Sequence, residues 1–228
     1  MKLSNDTLIL LKNFASINQG IMFKKGKTLR TVSAQKNVMA EATINEEIPT
    51  DFGVYDLNNF LSVLSLHKEE PVIDFQDNNV LISGLQGRSK IKYRFCAPNM
   101  IVAAPDKPIA MPEPEISFTI TQEDFDWVMK ASAVLSSPFV AIESEGEKVL
   151  ITTFDPQNDA AHTDSLEIAK GNGSKYKMLF KVENLKMISG SYEVKISSKG
   201  ISNFKHKTLN LQYWIATETG SNFEKGKS

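Results

Sequence analysis

Between residues 104 and 117 the chain reads APDKPIAMPEPEIS, with proline at positions 105, 108, 112 and 114. Proline lacks an amide hydrogen and fixes φ, so this density denies the backbone a ladder and favours an extended connector. The chain is thereby divided near its middle, and the two sides carry the same pattern. Each opens on a capped helical stretch, runs into short strands, shows a second helical stretch and returns to strands. Ser4 overlays Thr121 at an offset of 117, and Leu8 and Leu11 then fall on Phe125 and Val128. Tyr55-x-Leu57 overlays Phe180-x-Val182 at an offset of 125, which leaves eight residues for loop insertion in the second side. The expectation is a duplicated α+β unit, 1–104 and 117–228 about a 105–116 connector; the alternative is one irregular α+β domain.

Four helical stretches are expected. The first is capped by Ser4 and runs to about Ile17, with Leu8, Leu11 and Phe14 or Ala15 inward. The third, TQEDFDWVMKASAVLS, has Thr121 and Asp124 at capping-box spacing and turns Phe125, Val128, Met129 and Ser132 to one side. The fourth, KVENLKMIS, would bury Val182, Leu185 and Ile188. Strands are expected within 80–87, 90–97, 139–154, 191–200 and 209–217, with hairpin turns at Glu145-Gly146, Asn172-Gly173 and Lys199-Gly200. The tail GSNFEKGKS, 220–228, reads as disordered.

The second stretch, YDLNNFLSVLSL, raises a question of its own. Leu57, Phe60, Leu61 and Leu64 share one face behind an Asp56 cap, whereas the other face offers Asn58, Asn59, Ser62 and Ser65. Charged residues make up 23% of the chain, so a solvated helix would be expected to recruit Lys and Glu rather than weak helix formers. Either this face has a polar task that excludes charge, or it packs on a polar partner or drifted to low charge.

Composition and motifs exclude more than they assign. With 26 basic and 27 acidic side chains, the net charge of −1 promises no strong attraction to nucleic acid, although its distribution can be uneven. The lone Cys96 permits no internal disulfide, which suits a reducing compartment, and in an apolar strand it reads as a small hydrophobe. The N-terminal stretch lacks a small-residue cleavage site, and its apolar run is too short to span a bilayer. No nucleotide-loop, nucleophile-elbow, zincin or paired-cysteine motif occurs, and SGLQGRS reads as a hairpin turn. FDPQNDAAHTD lacks calcium-loop alternation, and His67, His162 and His206 lack ligand spacing, each reading as an exposed or hydrogen-bonded side chain. No catalytic residue, metal site or cofactor is expected.

MKLSNDTLILLKNFASINQGI, YDLNNFLSVLSL, DKPI, TQEDF and NLKM followed by GSYEV together resemble the DNA polymerase sliding clamps of T-even-type bacteriophages. The likeness is close over 1–66 and collinear, though patchy, to about 217. It implies an α+β fold of two similar sliding-clamp domains, each with two helices packed on antiparallel sheets, in a non-enzymatic homotrimeric ring around duplex DNA, bound without sequence preference. Implied partners are the replicative DNA polymerase, an ATP-dependent clamp loader and late-transcription factors, with no membrane, in the cytoplasm of an infected bacterium.

On that resemblance the DNA-facing pore takes Lys12, Asn58, Asn59, Ser62, Lys130, Lys181 and Lys186. An uncharged polar face suits a hole through which phosphates must slide. Lys181 stands where a helix dipole disfavours a cation, so a nearby phosphate would compensate. Ala133 replaces a second basic residue that the family carries one turn after Lys130, and Asp126 interrupts the positive character, implying weaker attraction to DNA. The resemblance also implies a subunit interface in which KIKYRFC, with Ile91, Tyr93 and Phe95 alternating against cations, pairs with AHTDSLEI, including His162 and Ser165. It implies a partner-peptide groove at Val32, Met39, Ile109, Met111, Trp214 and Ala216. The competing reading is a β-rich viral structural or assembly protein that oligomerises through sheet edges without a DNA role.

Overall fold

The computed structural model describes residues 1–67 and 71–226; the last two residues of the expected tail lie outside them. Two compact units comprise Met1–Lys107 and Pro108–Ser228. The first runs α1 (Asn5–Ile17), β1 (Ile21–Phe23), β2 (Gly26–Val32), β3 (Val38–Ile48), β4 (Phe52–Val54), α2 (Leu57–Ser65), β5 (Val72–Phe75), β6 (Asn79–Gly84) and β7 (Ser89–Arg94). The second runs β8 (Ile116–Ile120), α3 (Gln122–Val134), β9 (Phe139–Glu145), β10 (Lys148–Phe154) and β11 (Asp164–Lys170). It continues through β12 (Lys175–Lys181), β13 (Tyr192–Ser197), β14 (Ile201–His206), β15 (Leu211–Ala216) and β16 (Asn222–Glu224).

In the first unit β2 pairs with β3, β1 with β4, and β5–β6–β7 form an antiparallel sheet with β7 at its edge. Both helices bury one stripe. Leu11 and Phe14 of α1, and Leu57, Phe60, Leu61 and Leu64 of α2, are all buried. The α2 stripe is worth roughly 1.5–3 kcal/mol per side chain. That outweighs the few tenths of a kcal/mol per residue lost to Asn and Ser on the far face. Phe23 stacks on Phe52 at 4.4 Å, and Phe60 meets Tyr93 edge-on at 5.0 Å, which ties α2 to the edge strand β7.

In the second unit β8–β13–β14–β15 form one antiparallel ladder and β11–β10–β9–β12–β16 another, with β11 at an edge. α3 has the same 13-residue length as α1, and its cap, Thr121, is the position that overlays Ser4. Phe125 and Val128 are buried, with Phe125 5.8 Å from Tyr192.

The fourth helical expectation fails. Val182–Leu185 form a single 3-10 turn, so among its described residues the second unit has one α-helix where two were expected. Lys186 leaves helical geometry at ψ 61°, and Leu185 accepts from the Met187 amide at 2.7 Å. The buried tyrosines fix the next residues instead. The Tyr192 hydroxyl donates to the Ile188 carbonyl, and the Ile188 amide donates to the Tyr213 hydroxyl at 3.1 Å. Leu185 and Met187 are buried, whereas Val182 and Ile188 are only half-buried. The tail expectation also needs correcting, because Asn222–Glu224 pair with Lys175–Lys177 and Phe223 stacks with Tyr176. The polar and small residues around one phenylalanine concealed that strand from a reading of composition.

Candidate nucleic-acid interface and assembly edges

α1 is set in place at its start. Ser4 Oγ accepts from the Thr7 amide at 3.3 Å, and Glu46 of β3 accepts from the Ser4 amide and, at 2.7 Å, from Thr7 Oγ1. Burial pushes the Glu46 carboxyl upward, but these hydrogen bonds outweigh it and hold the group below the usual carboxylate range. The outward face of α1 then presents Asn5, Ile9, Lys12 and Ser16.

α2 presents Asn58, Asn59, Ser62 and Ser65, all exposed, behind the Asp56 cap, whose Oδ1 accepts from the Asn59 amide at 2.9 Å. The two kinds of polar side chain behave differently. Ser62 Oγ donates to the Asn58 carbonyl and Ser65 Oγ to the Ser62 carbonyl, each at 2.8 Å. Their hydrogens are therefore engaged with the helix, and the hydroxyls offer the outside only lone pairs. The donors available on this face are the Asn58 and Asn59 side-chain amides.

On α3, Thr121 and Asp124 form a reciprocal cap: the Asp124 amide reaches Thr121 Oγ1 at 3.1 Å, and that hydroxyl donates to Asp124 Oδ2 at 2.6 Å. Lys130 is exposed on this helix. Asp126 is engaged by the Ser189 hydroxyl, at 2.7 Å and 3.0 Å to its two oxygens. Lys181 ends β12, and its ammonium lies 3.8 Å from Glu218. A one-turn 3-10 segment carries little dipole, so the expected helix penalty on Lys181 is absent, and the anion beside it belongs to the chain. Lys186 is exposed just beyond that turn.

Both expected assembly strands lie at sheet edges. β7 turns Ile91 and Tyr93 half-inward, with Phe95 half-buried just beyond it, and leaves Lys90, Lys92 and Arg94 exposed. Tyr93 does more than alternate: its hydroxyl donates to the Asp56 carbonyl at 3.2 Å, beneath the α2 cap. The Phe95 amide donates to Asn78 at 3.1 Å, and Asn79 gives its carbonyl to Gln76 on the β5 side. By ladder alternation the Tyr93 and Ile91 amides turn toward β6, and those of Lys90, Lys92 and Arg94 face the open edge. On the other strand, Ser165 is exposed with its hydroxyl 3.1 Å from Thr152, and His162 is exposed just before β11.

The six groove positions differ in character. Val32 and Met39 are buried and face each other across β2 and β3. Ile109 and Met111 are half-buried in an irregular stretch; on β15, Trp214 is buried and Ala216 half-buried. His162 is exposed and His206 is buried but hydrogen-bonded through Nδ1, as expected, whereas His67 is buried with neither ring nitrogen hydrogen-bonded among the described residues. Among the described residues no cluster of His, Cys, Asp or Glu could hold a metal ion.

Sequence reasoning missed the Trp127–Asp164 contact, in which the indole Nε1 donates to Oδ2 at 3.0 Å. Its trace was present in the spacing of Trp127, Ala131 and Val134, a second apolar stripe on a helix already assigned one.

A family model described as DNA polymerase processivity factor matches residues 4–103, and one described as gp45 sliding clamp, C terminal, matches 117–219. The chain is 34% identical over 223 residues to a sliding clamp of Vibrio phage KVP40, covering 96% of this chain and 99% of that one. It is 34% identical over 227 residues to a sliding clamp of Enterobacteria phage T4, covering 97% and 98%. In fold it is similar to PCNA from Thermococcus kodakaraensis, with a TM-score of 0.67 at 14% identity, covering 93% of this chain and 96% of that one. With a family model matched over most of each compact unit and relatives 34% identical over nearly the full length, the chain belongs to the sliding-clamp family of DNA polymerase processivity factors.

Proposed function

We infer that three copies of this chain join head to tail into a ring that encircles duplex DNA and tethers the replicative polymerase. The observation that carries this reading is that one chain offers two unlike sheet edges, β7 bearing Lys90, Lys92 and Arg94, and β11 bearing Asp164 and Glu167. Unlike edges form a heterologous contact, which closes into a ring when the rotation permits. The uncharged face of α2 supports DNA in the hole, with Lys12 on α1, Lys130 on α3, and Lys186 supplying positive charge. Asn58 and Asn59 give two donors that can meet any phosphate without fixing a register. Lys181 contributes less, because Glu218 already faces it.

The clamp opens for an ATP-dependent loader and acts in the infected bacterial cell, where late-transcription factors share it with the polymerase. Partner peptides dock on apolar positions of the second unit, with half-buried Ile109 and Met111 the accessible ones and Trp214 a supporting core residue. A structural protein without a DNA role is disfavoured, since nothing in such a role calls for an uncharged helix face.

The test is dissociation from DNA of two topologies. Once loaded on a closed circle the protein should persist, whereas from linear duplex it should slide off within the same buffer. Equal, rapid loss from both would mean that it does not encircle DNA.

A further inference from the structure

In the first unit β2 stands at the end of its ladder and pairs only with β3. The Ser33 amide donates to Val38 at 2.8 Å, so by alternation the amides of Leu29 and Thr31 turn toward β3. Those of Thr28 and Arg30 then face the open side. The Val32 carbonyl confirms that direction, because the Asn18 side-chain amide reaches it at 2.9 Å from outside the ladder. The stretch from Val102 to Asp106 runs along the same border, but side chains hold it there. Asn18 also donates to the Val102 carbonyl at 2.9 Å, and Arg30 Nη1 donates to the Asp106 carbonyl at 2.6 Å. Among the described residues no hydrogen bond reaches the backbone of Thr28 or Arg30 from that side.

A cleft of about 400 Å³ opens beside this border, reached by the cations Lys24, Lys25, Lys27 and Arg30 and by the carboxylates of Asp51 and Asp106. Both carboxylates already have a partner, since Lys24 lies 3.3 Å from Asp51 and 3.5 Å from Asp106. Arg30 Nε meets Glu41 at 2.6 Å. Lys25 and Lys27 are exposed and make no ion pair among the described residues. A Cβ at Gly26, between them, would touch nothing within 4 Å, so the opening is free. None of these residues belongs to the pore or to the peptide groove.

We propose that this border receives an extended acidic segment of a partner protein, which adds as a strand to β2 at Thr28–Arg30 and sets its carboxylates against Lys25 and Lys27. The inference goes beyond the ring reading and holds whether or not a ring forms. An open strand border is completed by another peptide backbone, while the charges beside it select which one. Met22 and Ala104 supply an apolar wall, which suits a strand whose carboxylates alternate with aliphatic side chains. A nucleic acid would meet the same cations but cannot continue a ladder, and none of the described lining residues is aromatic to stack a base. A second copy of β2 is disfavoured, because two such borders would bring like charges together.

The test uses the full chain and a short fluorescein-labelled peptide of alternating glutamate and valine, followed by anisotropy. The same peptide with lysine for glutamate, and oligothymidylate, serve as comparisons. The acidic peptide alone should saturate, with an affinity that falls as salt rises. Lys25→Glu with Lys27→Glu should weaken it about tenfold or more, and so should Thr28→Pro, which removes an outward amide and spares the pairing with β3. Hydrogen exchange at Thr28 and Arg30 should slow on binding, which loose electrostatic attraction would not cause. Met111→Asp, in the groove, should leave the affinity unchanged. Loss in the charge variant, with neither loss in Thr28→Pro nor slowed exchange, overturns strand addition. Oligothymidylate bound more tightly than the peptide overturns the occupant, and an acidic peptide that never saturates overturns the site.

Discussion

His206 is held as a neutral ring by what surrounds it. Its Nδ1 accepts from the Thr208 amide at 3.2 Å and the Leu209 amide at 3.1 Å, and a proton there would face two donors. Burial lowers its pKa, and the Ser189 backbone offsets this only in part. Because the unfolded chain gains this proton below about pH 6.5, the contribution is complete above that value. It is lost as the pH falls from there through the lower folded pKa. The urea midpoint should therefore fall between pH 7 and pH 5, and His206→Gln should flatten that dependence; equal slopes in both proteins would assign the effect elsewhere. Glu46, Asp51 and Glu115, all held below the usual carboxylate range, add their own losses only at lower pH. The sequence did not disclose this burial, because a distant glycine makes the room. A Cβ at Gly190 would lie 2.1 Å from His206 Nε2, and one at Gly84 would lie 2.0 Å from His67 Nδ1. Such contacts have no signature in local spacing.

Elements whose determinants are local could be read before any fold was known. Ser4 and Thr121 cap as their neighbours dictate, and the α2 stripe follows from period alone. The 3-10 turn at Val182–Leu185 could not be read this way, since what ends it is the pair Tyr192 and Tyr213 arriving from other strands. β16 was equally hidden, because its stability comes from β12 rather than from itself. The same distinction governs how an edge should be tested. Proline at Tyr93 would remove an inward amide and the ring that supports α2, so the fold would suffer with the assembly. Lys92→Pro removes an outward amide instead, and should leave a folded monomer by circular dichroism and sedimentation. A trimer of undiminished stability in that variant would exclude β7 as the joining strand.

For the whole molecule, a net charge of −1 makes attraction to DNA a matter of where the exposed cations stand. Lys12 and Lys130 are exposed at similar places on helices of equal length, one in each unit. Replacing both by alanine removes two charges per subunit and six per ring. Binding to linear duplex, weak already, should lose part of its salt dependence, read as anisotropy against salt concentration, while the trimer persists. An unchanged slope would move the DNA contact to other residues. The division into two units was visible in the sequence through the prolines, whereas the shortening of Val182–Leu185 to a 3-10 turn was not, since the tyrosines that fix the residues after it come from other strands. The two unlike edges have one further consequence. A ring joined only by unlike edges has no two-fold axis in its plane, so its two faces differ. A docking surface that lies on one face occurs three times there and never on the other. A polymerase bound there meets the duplex from a fixed side, and a ring threaded the wrong way round would present it with nothing to hold. Loading must therefore choose an orientation, and the need for that choice is already written into the asymmetry of a single subunit's two borders.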